Sequence, residues 1–307
     1  MTTIQLKAKK EENILRFHPW IFSGAISKIY GNPQEGDIVR VTDNKGNFLA
    51  IGHYQIGSIT IRILSFKDIQ IDRDFWKERL TAAYNMRQAL NLSAITETTA
   101  YRLVHGEGDN LPGLVIDIYG NTAVMQAHSV GMHYAKDILA ELLVDIIPEV
   151  KNVYYKSSNT LPYKAPVKAI ELTNKNIELN YGKDSRHEAF AADAFKFLET
   201  IDDKYDLIIL DPPAFAKHRD ALHNALQGYR KINYAAFQKI RKGGILFTFS
   251  CSQAVNKEQF RLAVFTAAAQ SGRSVKILHQ LTQPKDHPIN IYHPEGEYLK
   301  GLVLYVE

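Results

Sequence analysis

The stretch that most constrains the fold of this chain is residues 205–215, YDLIILDPPAF. Its four consecutive large aliphatic residues, 207–210, predict a strand that is buried on both faces of a sheet. Pro212 ends that strand because proline has no backbone N–H to donate to a neighbouring strand. In open α/β sheets, ligands bind outside the carboxyl ends of the strands. Asp211 is therefore placed to act on a substrate.

The composition limits the classes of protein to which the chain can belong. With 307 residues, 45% of them hydrophobic, it can bury the cores of two or three domains. No apolar run approaches the roughly 20 residues of a membrane span, and the N-terminus shows no secretion signal. The single cysteine, Cys251, excludes an intramolecular disulfide. These features predict a cytoplasmic location without a membrane partner, and the net charge of +4 is compatible with an anionic partner.

The pattern of strands and helices divides the chain into three predicted domains. Residues 1–70 hold short β-rich runs separated by turns, which is typical of a small closed β-barrel. Residues 71–168 combine two amphipathic helices with a β section and predict an α+β middle domain. In residues 169–307, helices alternate with short apolar strands, as in a doubly wound α/β sheet.

Polar residues follow three predicted strands of the third domain. A strand over residues 188–193 ends at Asp193, the strand at 205–211 runs into Pro212 and Pro213, and a strand at 245–249 runs into Ser250-Cys251-Ser252. Because parallel strands end at the same edge of a sheet, we expect these groups to converge. Two interpretations of Asp193 stay open: it accepts a hydrogen bond from an exocyclic amine such as that of adenine, or it caps a helix at 194–198.

Cys251 lies where a predicted strand passes into a loop. A lone cysteine is commonly a small buried hydrophobic residue. The predicted position beside the Asp211 edge favours a chemical role instead. A thiolate can attack C6 of a pyrimidine and make C5 electron-rich enough to accept a methyl group.

Two basic segments suggest contacts with nucleic acid. Basic and aromatic side chains are interleaved near the N-terminus, which suits phosphate contacts and base stacking, although burial statistics favour core positions for Trp20 and Phe22. Residues 211–242 hold seven Lys/Arg against two acids, and the alternative there is a solvated helix face. The predicted RNA-binding residues are Lys9, Lys10, Arg16, His18, Trp20, Lys217, Arg219, Arg230 and Lys231.

The eleven histidines show no spacing typical of metal ligands. His218 and His223 lie five residues apart, whereas ligands on one helix face are three or four apart. The sequence therefore predicts no metal site.

With these residues in place, the chain resembles the RlmI-like group of large-subunit ribosomal RNA cytosine-5 methyltransferases. These are class I S-adenosylmethionine-dependent enzymes with an N-terminal PUA domain. The residues that carry the resemblance are 16–24, 113–117, 190–193, 211–215, 250–252, 286–288 and 297–301.

The resemblance implies a fold, a cofactor and a set of roles. It implies a Rossmann-like α/β methyltransferase sheet preceded by a β-barrel PUA domain and the α+β middle domain. It also implies S-adenosylmethionine as cofactor, ribosomal RNA as partner and RNA binding by the PUA segment. Cys251 would be the nucleophile, Asp211 a catalytic carboxylate, and Asp193, with Asp211-Pro212-Pro213, part of the cofactor site.

One part of the family pattern is missing from the sequence. Enzymes of this class need a glycine-rich loop after the first strand of the sheet and an acid after the second. Residues 156–168 contain no glycine, and they are too few for a βαβ unit of about 30 residues. We therefore expect the sheet to lack its first βαβ unit and the 205–211 strand to have an unpaired edge. A strand from residues 152–168 or from a second chain, as in a homodimer, would fill that edge.

The function predicted from these residues is S-adenosylmethionine-dependent methyl transfer to C5 of a cytosine in 23S ribosomal RNA, through a covalent adduct between Cys251 and C6. Whether this form, without the missing segment, is active stays open. Two alternatives also remain. One is an RNA methyltransferase that acts on an exocyclic amine, because Asp-Pro-Pro-like loops also bind such amines. The other is a non-catalytic RNA-binding protein.

Overall fold

The computed structural model describes residues 2–92, 99–157, 169–182, 186–201, 205–216 and 219–307. The strands of the described residues are β1 Thr2–Leu6, β2 Trp20–Phe22, β3 Ile26–Tyr30, β4 Ile38–Thr42, β5 Phe48–Tyr54, β6 Ile59–Ser65, β7 Ala100–His105, β8 Leu114–Tyr119, β9 Thr122–Ala127, β10 Asn152–Tyr155, β11 Tyr205–Leu210, β12 Ile240–Ser250, β13 Val275–Leu281 and β14 Lys300–Val306. The α-helices are α1 Glu12–Leu15, α2 Arg73–Ala89, α3 Val130–Tyr134, α4 Lys136–Ile146, α5 Ala169–Tyr181, α6 Ala194–Thr200, α7 Leu222–Lys239 and α8 Lys257–Ser271.

The chain folds into two compact units. The first unit contains residues 1–165 and 284–296, and the second contains residues 166–283 and 297–307. The segment 284–296 therefore belongs to the first unit, although it lies between strands β13 and β14 of the second in the sequence. The predicted division into three domains stays a prediction.

The first unit opens with a six-stranded sheet in the order β2-β6-β5-β4-β1-β3. Its strands alternate buried and more accessible residues, so that Ile4, Leu6, Val39 and Val41 are fully buried in one apolar core. The apolar pattern of the sequence predicts strands at 37–41, 48–54 and 59–64, which match β4, β5 and β6 within one residue. It missed β1 to β3, which are short and carry weaker apolar patterns.

A second sheet of the first unit has the order β10-β9-β8-β7, with helices α2 and α4 packed into its core. Asp72 caps α2 by accepting a hydrogen bond from Phe75 N at 3.0 Å. The predicted helix over 132–147 is wrong in one respect, because the chain forms two helices, α3 and α4, on either side of Ala135. Strand β10 pairs with β9, so residues 152–155 do not extend the sheet of the second unit.

The segment 284–296 is held in the first unit by a buried guanidinium group. Arg87 of α2 forms a bidentate ion pair with Asp109 and donates a further hydrogen bond to the Asp286 carbonyl at 2.9 Å. At Gly108 the chain approaches Pro288 so closely that a Cβ would lie 2.0 Å from the Pro288 carbonyl oxygen. A side chain at position 108 would therefore displace the segment.

The sheet of the second unit has the order β11-β12-β14-β13, with β11 and β12 parallel and β14 antiparallel to β12 and β13. Strand β11 is at the edge of this sheet, as expected for a sheet without its first βαβ unit. The prediction that β11 is buried on both faces is wrong. Ile208 and Leu210 face the core, whereas Leu207 is 52% and Ile209 62% exposed, because no described element covers the second face.

Three other features of the second unit bear on the predictions. The described residues 186–193 form no strand, so the predicted strand at 188–193 is wrong, and they lead directly into helix α6. Helix α7 ends at Lys239, and β12 begins at Ile240 rather than at 245. The sequence predicts a helix over residues 169–180 that Gly182 ends. Helix α5 matches this within one residue and is followed by Gly182 at a φ of 69°.

Among the described residues, no helix combines the length and the apolar character that crossing a bilayer requires.

Candidate active site

The parallel strands β11 and β12 end side by side in the second unit. Leu210 is in register with Thr248, so the loops that follow the two strands begin at the same edge of the sheet. Cys251 is half-buried there, and its Sγ lies 3.9 Å from the Pro212 carbonyl oxygen. Asp211 is exposed beside it. The structure thus brings the cysteine and the Asp-Pro-Pro loop together, as the sequence predicted.

Buried hydroxyl groups fix the two loops to helix α7. The Tyr229 hydroxyl, which is fully buried, lies 2.8 Å from Ser252 Oγ. Ala216 N donates a hydrogen bond to the same Ser252 Oγ at 3.2 Å. Because Ser252 follows Cys251 and Ala216 closes the Asp-Pro-Pro loop, this network sets the distance between the two parts of the site.

Lys300 is a residue of this site that sequence reasoning did not assign. It begins β14, where it is paired with Ser250, and its Nζ donates a hydrogen bond to the Ser252 carbonyl at 2.7 Å. Burial lowers the pKa of Lys300, and the charges of Cys251 and Glu297 act in the opposite direction. Thiolates in proteins are stabilised beside lysine and arginine. A lysine at the start of an otherwise apolar strand is the sequence signal that could have revealed it.

A cleft of about 520 Å³ lies next to Lys300. Its lining includes Gln253, Asn256, Lys257 and Glu297, so the walls carry both charges and amide groups. This volume is within the range of sites that bind small molecules or single nucleotides.

Asp193 is the N-cap of helix α6. One of its carboxylate oxygens accepts a hydrogen bond from Lys196 N at 3.1 Å, so the structure shows the capping role that the sequence left open. A contact between Asp193 and the adenine of a cofactor stays a prediction.

The predicted RNA-binding residues of the first unit fall into two groups. Lys9, Lys10 and Arg16 are exposed. His18 and Trp20 are half-buried, and the Trp20 Nε1 donates a hydrogen bond to Glu107 Oε1 at 2.8 Å. The basic side chains are therefore accessible to a phosphate backbone. The indole N–H of Trp20, in contrast, already donates its hydrogen bond to Glu107.

The predicted RNA-binding residues of the second unit lie on or near helix α7. Arg230 is half-buried, and Lys231 is exposed with its Nζ 6.0 Å from the centre of the Phe195 ring. Arg219 begins a short 3-10 turn before the helix. Lys217 lies outside the described residues.

A site for S-adenosylmethionine needs one side that faces the methyl acceptor and another that holds the cofactor. The Asp-Pro-Pro loop and Cys251 fit the side of such a site that faces the methyl acceptor. The described residues do not supply the donor side, because no glycine-rich loop precedes α6, α7 or α8, and no described strand lies beyond β11. The sequence 156–168 contains no glycine either, and most of it lies outside the described residues.

The fold and the site together define an S-adenosylmethionine-dependent methyltransferase with a PUA-like domain. The PUA-like domain family matches residues 4–66. A solved protein from Streptococcus mutans, described as an S-adenosylmethionine-dependent methyltransferase, superposes with a TM-score of 0.75 at 15% identity over all of both chains. A second methyltransferase, solved in complex with SAH, gives a TM-score of 0.72 at 16% identity, also over all of both chains. These likenesses establish the fold.

The chain belongs to the ribosomal RNA large subunit methyltransferase I family. It is 32% identical to the family member from Tolumonas auensis, with 99% of each chain covered. It is 31% identical to the member from Aeromonas hydrophila, with 98% of each covered. S-adenosylmethionine is the cofactor of this class of enzyme.

The alignment with the Tolumonas auensis protein also gives the minimum number of positions that this chain lacks relative to that protein. It runs over 394 positions, whereas this chain has 307 residues, so at least 87 positions of the relative have no counterpart here. A βαβ unit requires about 30 residues or more, so the unmatched positions are numerous enough to include one.

Proposed function

We propose that this chain acts on ribosomal RNA of the large subunit and methylates C5 of a cytosine, with Cys251 as the nucleophile. The observation that carries the proposal is the position of Cys251 Sγ, 3.9 Å from the Pro212 carbonyl oxygen, at the edge where β11 and β12 end. The names of the relatives support the RNA substrate, and the thiol supports C5 as the acceptor.

The chemistry assigned to this chain's own residues begins with Cys251. Its thiolate attacks C6 of the cytosine, and the S–C6 bond moves electron density to C5, which becomes the acceptor. The buried Lys300 ammonium stabilises the thiolate before attack. After methyl transfer, water takes the proton from C5, the electrons of the C5–H bond form the C5–C6 double bond, and the S–C6 bond breaks to return the thiolate beside Lys300. When bound, S-adenosylmethionine supplies the methyl group.

Asp211 is assigned to the substrate side of the site. It is exposed at the strand end, and the two prolines that follow it remove the local N–H donors that would otherwise occupy its carboxylate. An exposed carboxylate at this position can accept a hydrogen bond from the exocyclic amine of cytosine. Asp211 would thereby orient the ring for attack by Cys251.

Exposed basic residues would bind the phosphate groups of the RNA backbone. Lys9, Lys10 and Arg16 of the first unit and Lys231 of the second are accessible. Contacts between such side chains and phosphates release counterions, so the affinity for RNA would fall as the salt concentration rises.

A second function, RNA binding without catalysis, is favoured by one observation. The described residues lack the donor side of the cofactor site, and at least 87 aligned positions of a relative are missing. A chain of this kind would keep its RNA contacts and lose methyl transfer.

Transfer of a labelled methyl group separates these functions. Unmethylated large-subunit ribosomal RNA is incubated with the full chain and tritiated S-adenosylmethionine at millimolar concentration, and nucleosides are then separated. We expect label in 5-methylcytidine, and we expect Cys251→Ala to abolish it while the matched control Ser250→Ala retains it. Label that survives Cys251→Ala in an N-methyl nucleoside would identify amine transfer. Salt-sensitive RNA binding without any label would identify the non-catalytic function.

A further inference from the structure

Three side chains of the first unit meet although they are far apart in the sequence. They are His18, which precedes β2, and His293 and Glu295 of the segment 284–296. His18 Nε2 lies 3.4 Å from Glu295 Oε2, and His293 Nε2 lies 3.7 Å from the same oxygen. One potential ligand atom from each residue lies within 4.8 Å of the other two. We call these residues the His-His-Glu cluster.

The buried histidine of this cluster has an unsatisfied nitrogen. His293 is only 4% exposed, and its Nε2 is buried without a hydrogen-bond partner among the described residues. The carboxylate oxygen at 3.7 Å is too far away to form a hydrogen bond. A buried polar atom without a partner destabilises a fold, so a native site with this geometry calls for a ligand.

The surroundings of the cluster restrict its imidazole rings. His18 Nδ1 lies 3.2 Å from both the carbonyl oxygen and the backbone N–H of Trp20. In the tautomer in which Nδ1 donates to the carbonyl oxygen, Nε2 carries the lone pair that a metal ion requires. The Trp20 ring packs against the His293 ring with 4.3 Å between ring centres, and Glu107 in turn binds the indole Nε1. These contacts hold both imidazole rings in place.

We propose that the His-His-Glu cluster binds a divalent transition-metal ion, with Zn²⁺ as the ion that its donors suit best. Two imidazole nitrogens and one carboxylate are a recurring Zn²⁺ ligand set, with a fourth position left for water. Tetrahedral bonds of about 2.0–2.1 Å place ligand atoms about 3.3 Å apart. The two distances from nitrogen to the carboxylate oxygen, 3.4 and 3.7 Å, are close to this value, and the two imidazole nitrogens lie within 4.8 Å of each other. Mg²⁺ and Ca²⁺ prefer oxygen ligands throughout, which excludes them as the favoured ions.

The ion would have a structural effect on the first unit. It would cross-link His18 to two residues of the segment 284–296, and the closed loop would be 277 residues long between His18 and Glu295. Spacing between neighbouring histidines and acids does not reveal this site, because its ligands, His18 and the pair His293 and Glu295, lie far apart in the sequence.

Zinc titration of the full chain tests the proposal. Tag-free protein is treated with a chelator, dialysed and titrated with ZnCl₂ in a calorimeter, and Co²⁺ is added to a separate sample to record its visible absorption. We expect one equivalent of Zn²⁺ to bind with a micromolar or lower Kd, a rise in the Tm, and an intense Co²⁺ band typical of tetrahedral coordination.

Substitutions identify the ligands. Because Glu295 is exposed, we expect Glu295→Gln to fold as the parent does and to weaken Zn²⁺ binding at least about tenfold. His293→Gln and His18→Gln should do the same, whereas His287→Gln, in the same segment but outside the cluster, should bind as the parent does. Absence of stoichiometric binding by the parent chain would overturn the proposal. Equal affinities of the parent and Glu295→Gln would also overturn it.

Discussion

Lys300 Nζ donates a hydrogen bond to the Ser252 carbonyl at 2.7 Å, one residue beyond the single cysteine of the chain. The antiparallel pairing of Ser250 with Lys300 creates this relationship, because it brings the start of β14 to the end of β12. A positive charge that is largely shielded from water thus lies beside the thiol. The site consequently has an electrostatic partner for a thiolate as well as a nucleophile.

Replacing Lys300 by methionine should slow the reaction of Cys251 with iodoacetamide about threefold to tenfold. Methionine keeps the apolar stem of the side chain and removes the ammonium group that stabilises the thiolate. The rate is measured by mass spectrometry of the intact chain. Lys276→Met, on an exposed part of β13, is the matched control and should leave the rate unchanged. Equal rates for the parent and Lys300→Met would contradict this role of the lysine.

S-adenosylmethionine should bind this chain with a Kd in the millimolar range. The Tolumonas auensis relative has at least 87 positions without a counterpart in this chain, which is enough to include the glycine-rich loop that the described residues lack. Hydrogen bonds to charged groups each contribute about 1.5–3 kcal/mol, so the loss of two or three weakens binding by several orders of magnitude. Isothermal titration calorimetry measures the affinity, with the longer Tolumonas auensis relative as the reference. Saturation at micromolar cofactor would show that other residues replace the loop.

Arg87→Met should lower the free energy of unfolding of the first unit by about 3–5 kcal/mol, because it leaves the buried Asp109 carboxylate without its charge partner. Both tryptophans of the chain, Trp20 and Trp76, lie in the first unit, so urea unfolding followed by tryptophan fluorescence reports on that unit. The control Arg73→Met removes two solvent-exposed ion pairs, with Glu141 and Asp145, and should change the free energy of unfolding by less than about 1 kcal/mol. A small effect of Arg87→Met would mean that water reaches the Asp109 carboxylate.

Acid should destabilise the first unit through His53. Burial, with a smaller contribution from the charge of Arg62, lowers the pKa of His53 to about 4 from 6.5. Between these two pH values the unfolded chain binds more protons than the folded protein, so stability is lost as the pH falls. The loss attributable to this residue reaches about 3 kcal/mol near pH 4.

The measurement for His53 is urea unfolding at pH 7 and at pH 4.5 for the parent and for His53→Leu. Leucine cannot bind a proton, so the difference between the two pH values should shrink in the variant. His105, whose pKa burial also lowers to about 4, remains in both proteins and accounts for part of the residual difference. An unchanged pH dependence in His53→Leu would show that His53 does not contribute.

The free edge of β11 should make the chain associate as its concentration rises. Leu207 and Ile209 are exposed on a strand that pairs on one side only among the described residues. Ile209→Lys places a charge on this strand and should shift the chain toward the monomer in sedimentation velocity. Ile56→Lys, at an exposed isoleucine of the first unit, should have no such effect. Equal association of the two variants would exclude β11 as the contact.

The sequence predicted those elements whose apolar pattern is local. Strands β8, β9 and β10 match the bounds that their apolar pattern predicts, 114–119, 122–127 and 152–155. The loop after β11 does meet Cys251, because two parallel strands of one sheet must end together. The prediction failed at residues 188–193, where an apolar run followed by an acid was interpreted as a strand. The structure shows that Asp193 caps a helix instead.

Contacts between distant parts of the chain could not be predicted in this way. Lys300 joins the site only because β14 lies antiparallel to β12, and no local pattern specifies that pairing. The burial of one face of β11 and the exposure of the other depend on which elements cover the strand, and the run of apolar residues carries no information on that point.

The anchoring of the segment 284–296 has a consequence for how the protein is made. Arg87 leaves the ribosome 199 residues before Asp286, the residue whose carbonyl it binds. At about 5–20 residues per second, synthesis of the intervening chain takes about 10–40 s. During that time the nascent first unit contains Arg87 but lacks the segment 284–296. The guanidinium group of Arg87 therefore has no Asp286 carbonyl to which it can donate its hydrogen bond. The segment 284–296 must therefore be synthesised before the first unit can close.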